Sequence, residues 1–122
     1  MLTEAELRER LQEQFGLISK GSVFDEPITA DTDIFDPGPE PTNSPTTFRI
    51  YACFDAGGVL SVTRTANGGT VTEQLNGGAK LNADAAYIFD IIVESGESVN
   101  LQYSVSTTAL TLKVLEVPGV IS

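Results

Sequence analysis

Three carboxylates stand close together early in the chain, in the order Asp31-x-Asp33-x-x-Asp36. Hard oxygen ligands at such spacing are the raw material of a calcium loop. The run lacks the glycine and the closing bidentate glutamate of an EF-hand, so the plainer reading is a solvated acidic loop. Asp90 within an apolar run, and Glu94 with Glu97 around a Ser-Gly turn, make no better pair. Glycoside hydrolysis needs two carboxylates aimed across a sugar cleft. Such clefts usually display stacked aromatics, and this chain has no Trp and 3 Tyr. Cys53, the single thiol, sits in Phe48-Arg49-Ile50-Tyr51-Ala52-Cys53-Phe54 and reads as a small buried hydrophobe. Tyr51, Tyr87 and Tyr103 could line a pocket, but alternation groups Tyr87 and Tyr103 with the core. The Gly-Gly pairs end strands instead of opening a helix, so no phosphate loop is present.

Composition narrows the chemistry further. The 122 residues include 17 acidic and 7 basic side chains and no His, for a formal charge of −10. Without His there is no Ser-His-Asp catalysis, imidazole proton shuttle or imidazole metal ligand. One Cys excludes an internal disulfide and a cysteine-built zinc site. The absence of a basic patch argues against nucleic acid as a partner. No apolar run reaches the length of a membrane span. The charged N-terminus lacks the apolar core of a signal peptide, so a soluble chain made in a cytoplasm is expected. The expectation is a protein that is not an enzyme and has no cofactor. The acid excess fits solubility and mutual repulsion; a saline habitat or a basic docking surface stays open.

Three kinds of element must carry these residues. Thr3 and Glu6 form a capping box, Glu4 and Glu9 favour the same helix start, and Gly16 ends it. The spacing of Leu7, Leu11 and Phe15 gives a helix over 3–15 one thin apolar stripe, which needs a surface to rest on. Residues 19–47 hold five of the 6 prolines. They read as an extended arm, with Val23, Phe24, Ile28, Ile34 and Phe35 as apolar contacts along it, while Ile18 extends the helix stripe. An ordinary linker with an edge strand near 22–29 is the other reading. From residue 48 onward, apolar and polar residues alternate in six short runs separated by turn signals, including two Asn-Gly-Gly. Ile88 and Ile92, interleaved with Phe89, Ile91 and Val93, predict a strand covered on both faces. Leu115 and Val117 switch the apolar side of the last run, as a bulge would.

The expected fold is all-β: an antiparallel β-sandwich or jelly-roll-like domain over 48–122, after a short N-terminal helix (1–18) and an extended Pro-rich arm (19–47). Outward strand positions are Thr, Ser, Asn and Gln more often than Lys or Glu. Such faces suit close, weakly charged subunit packing, and helix, arm and apolar tail are more adhesive appendages than a monomer requires.

A polar arm leading to a compact Thr/Gly-rich sandwich resembles small virion proteins of tailed viruses of bacteria and archaea. The runs Tyr87 to Val93, Ser95 to Leu101 and Ala109 to Val117 look like the end of such a domain. The comparison is best with capsid-decorating, or cementing, proteins, over roughly residues 46–117. The resemblance implies a homo-oligomer, a homotrimer in many cases, bound to the major capsid protein on the virion surface. It implies attachment through Leu7, Leu11, Phe15, Ile18 and the arm residues above, and it brings no catalytic residues. A spike, tail-associated or receptor-binding module of a virion, and a cellular carbohydrate- or calcium-binding sandwich, are the alternatives.

Overall fold

The computed structural model describes residues 18–36 and 38–117. The expected helix, with Leu7, Leu11 and Phe15, lies outside the described residues, as does the tail after Val117. Seven strands form: β1 (Ile18–Ile28), β2 (Thr46–Phe54), β3 (Leu60–Ala66), β4 (Gly69–Gln74), β5 (Tyr87–Val93), β6 (Ser98–Tyr103) and β7 (Thr107–Val117). They make two antiparallel sheets, one ordered β1-β7-β2-β5 and the other β4-β3-β6. The all-β sandwich expected from alternation is thus present.

The apolar periodicity builds the core directly. Phe48, Ile50, Ala52 and Phe54 of β2 face Leu60 and Val62 of β3 and Leu101 and Tyr103 of β6, all buried. Tyr103 stacks on Phe54 with ring centroids 3.8 Å apart and donates its hydroxyl to the Ala56 carbonyl at 2.7 Å. That bond satisfies the one polar atom of a fully buried ring. Gly58 makes room for it, since a Cβ there would stand 2.9 Å from the tyrosine ring. Burial pushes the Tyr103 phenol above its ordinary pKa.

The arm segment is extended and lies along the protein, and the edge strand of the other reading is present. Residues 18–28 are an edge strand paired with β7. Beyond it the chain crosses to the other sheet and runs beside β6. The Asp31 and Ile34 amides donate to the Tyr103 and Leu101 carbonyls at 2.8 and 2.9 Å. Asn100 then acts as a backbone surrogate. Its side chain accepts from the Phe35 amide at 3.0 Å and donates to the Phe35 carbonyl at 2.8 Å. The apolar residues of this segment outweigh its proline, because Pro27 lies at an edge, and Pro39, Pro41 and Pro45 fall in the loop that follows.

Only one Asn-Gly-Gly closes a hairpin among the described residues. Asn67 (φ 51°) and Gly68 (φ 81°) turn β3 into β4, as expected. Asn76, Gly77 and Gly78 also take positive φ, but they send the chain out of β4 toward the other sheet. Local turn signals report a reversal and not the partner that follows it. The β2–β7 register shifts at Cys53–Phe54, and the β1–β7 register shifts between Ser19 and Gly21, opposite Leu115 and Val114, with the extra residue in β1.

Candidate functional site: the outer face of the four-stranded sheet

Directly opposed residues in antiparallel strands share a face. Register therefore fixes what the four-stranded sheet shows on the side away from the core. One row runs Val117, Thr47, Ile92 across β7, β2 and β5. The next runs Ser19, Leu115, Arg49, Asp90 from β1 to β5. Then come Ser22, Lys113, Tyr51 and Ile88, and last Phe24, Thr111 and Cys53. Phe24 is 68 % exposed, Ile88 60 % and Ile92 56 %. Tyr51, Cys53, Leu115 and Val117 are half-buried.

Two expectations are corrected here. The strand carrying Ile88 and Ile92 is covered on one face only: Ile91 and Val93 are buried in the core, while Ile88 and Ile92 point away from it. β5 is the sheet's edge, and no described element lies over it. The late apolar switch at Leu115 and Val117 places both on this same outer face. Cys53, expected buried, is half-buried beside Thr111.

Polar groups on the face are largely paired with one another. Arg49 donates to both Asp90 oxygens, Nε to Oδ1 at 2.9 Å and Nη2 to Oδ2 at 3.0 Å. The bidentate bond raises the guanidinium pKa and holds the Asp90 carboxyl below the usual carboxylate range. Lys113 is the one other charged side chain in the four rows.

The opposite face of the molecule has another character. Ser61, Thr63 and Thr65 of β3 stand between Gln102, Asn100 and Ser98 of β6 and Gln74, Thr72 and Thr70 of β4. No charge and no aliphatic side chain occupies these nine positions. The loop around Pro39 leans on part of this surface and leaves an open groove of about 330 Å³ beside Asp33 and Glu40.

The other sequence candidates disperse. Val23, Ile28 and Ile34 are partly buried against the core, and Phe35 is buried in it, so the chain itself occupies these four arm residues. Gly21 allows this, for a Cβ there would stand 3.1 Å from the Phe35 ring. Ile18 opens β1 opposite Glu116. Phe24 is left open. Asp31, Asp33 and Asp36 are exposed. Asp33 accepts from the Gln102 side chain at 2.9 Å, and no cluster of metal-ligating side chains forms among the described residues.

One polar cluster was not anticipated. Arg64, at the end of an inward-facing alternation, donates Nη1 to Glu97 at 3.0 Å and to the Ile92 carbonyl at 2.6 Å. Its Nε is buried 3.7 Å from a Glu73 oxygen, too far for a hydrogen bond. The arginine thereby ties both sheets and the β5–β6 turn together. An arginine in phase with Leu60 and Val62 was the available signal.

No protein-family model and no curated protein sequence matches this chain.

Proposed function

We propose that this protein is a non-enzymatic structural component of a virion, a capsid decoration protein that attaches to the major capsid protein as a homo-oligomer. The observation that carries the reading is the outer face of the four-stranded sheet. Of the four large apolar side chains that are more than half exposed among the described residues, Phe24, Ile88 and Ile92 lie on this one sheet face, and only Val71 of β4 lies elsewhere. Exposed apolar side chains gathered on one face mark a place where another protein sits.

The topology supports the same reading. If the segment from Asp31 to Phe35 counts as an irregular fourth member beside β6, each sheet has four strands, in the eight-stranded jelly-roll order common in capsid proteins. The apolar stripe Leu7, Leu11, Phe15 remains for docking on the lattice. Each buried side chain of that stripe would contribute about 1.5–3 kcal/mol. An oligomer multiplies the contribution through avidity.

Mass spectrometry and electron microscopy of purified particles from the cell that encodes the chain test this. The expected result is the protein in stoichiometric amounts on the outer capsid lattice. Localisation to the tail or a spike would favour the other virion modules, and absence from particles would overturn the reading.

A further inference from the structure

We infer that the outer face of the four-stranded sheet is a two-fold interface between two copies of this chain. The inference rests on the reading of the protein as an assembly component, and it adds which surface pairs the subunits.

The size of the face is the first argument. Three strand spacings of about 4.8 Å and three row spacings of about 6.7 Å give a Cα frame of roughly 14 by 20 Å. With side-chain margins the footprint is at most about 500 Å² before roughness, for Thr47 in the first row is already buried. A specific interface buries about 600–1,000 Å² per partner. A helix of the kind the sequence predicts over 3–15 would be about 10 Å wide and would leave much of the face open.

Charge is the second argument. Two chains that each carry −10 repel unless they meet where acid is scarce. Of 17 acidic residues, only Asp90 lies in the four rows, and Arg49 neutralises it.

A two-fold contact also demands self-complementarity. Sheets pack face to face with strands nearly aligned. An axis parallel to the strands, between β7 and β2, exchanges the two members of each row. Lys113 and Tyr51 share a row. The axis therefore sets Lys113 against the partner's Tyr51, where its ammonium meets an aromatic face instead of an apolar void. Ile88 and Phe24, at opposite edges, are covered by the partner's outer strands.

Native mass spectrometry of the full chain, with the labelling rate of its single thiol, provides the test. Cys53 lies on the proposed interface and needs no engineering. Between about 1 and 100 μM, a range that brackets a modest interface, the mass should rise from one chain to two. Maleimide labelling of Cys53 should slow about tenfold over the same range. The double variant Ile88→Glu, Ile92→Glu should stay at one chain with fast labelling, while Thr63→Glu on the opposite face should pair like the wild type.

A wild-type mass of one chain throughout would overturn the inference, whether Cys53 is open or protected by the chain's own N-terminal segment. A trimer mass, or a dimer that survives the double variant, would also overturn it. Particle binding is absent from the assay, so its outcome is separate from the fate of the capsid reading.

Discussion

Arg64 shows how one side chain can hold two layers together. Its side chain is 17 % exposed and that of Glu97 14 %, so this pair is shielded from solvent screening. Removing the arginine would leave a mostly buried carboxylate without its partner, and the Ile92 carbonyl without its donor. Arg64→Ala is expected to cost about 2–4 kcal/mol, readable as a lower urea midpoint at an unchanged slope. Arg64→Met, with Glu97→Gln beside it, should recover part of the loss, because the apolar stem still packs.

Asp55 is one residue through which acid should act. The Thr107 hydroxyl and then the Thr108 amide, at 2.8 Å, donate to its carboxylate and hold its pKa below the usual aspartate value. A depressed folded pKa means that ionised Asp55 stabilises the fold above the unfolded pKa of about 4, and that this is lost as pH falls through the lower folded value. Asp90, lowered by Arg49, has the same sign. Thermal melts from pH 6 to pH 2 should therefore decline on the acid side, starting near pH 4. Asp55→Ala should flatten that limb. An unchanged limb in the variant would place the acid sensitivity elsewhere.

At the scale of elements, the strands were legible in the sequence and their partners were not. Alternation from Phe48 to Phe54 and from Val99 to Tyr103 exposes the period of two at a glance, and Asn67-Gly68 marks its hairpin. The segment from Ile18 to Phe35 is harder. Prolines say extended, and only the register of Val23 against Leu112 decides that it belongs to the sheet. The same holds for Ile88 and Ile92. A run apolar on both sides reads as a buried strand, and an edge position with an open outer face produces the same pattern. Arg64 was hidden for a related reason: its partners lie 9 and 33 positions away, and no local rule connects them.

Asn100 carries the prediction at this scale. By bonding both backbone groups of Phe35, it fastens the irregular segment along β6. Asn100→Ala should cost about 1–2 kcal/mol and leave a part-buried amide and carbonyl unpaired. Hydrogen exchange should quicken around Ile34 and Phe35 while the amides of β2 keep their protection. Equal loss of protection in β2 would mean that the segment is inseparable from global folding.

For the whole molecule, the two exterior faces differ in chemistry. One presents neutral hydroxyls and amides at every position between its strands. The other presents Phe24, Tyr51, Ile88, Ile92 and Leu115 around a single internal ion pair. A chain that worked alone would gain nothing from the second face. On the proposed reading, that face joins copies and the N-terminal stripe reaches the lattice. Residue types alone pointed to assembly over chemistry, but they could not locate the contact surface, because facing is a property of register and not of composition.

The most direct test is co-sedimentation of the purified full chain with particles stripped of it. The account expects saturable binding in a fixed ratio to the capsid subunits, and a loss of about tenfold or more in affinity when Leu7, Leu11 and Phe15 are replaced by Ser, as burial of three apolar side chains implies. A chain that never pellets with the particles, or a triple variant that binds as tightly as the original, would contradict it.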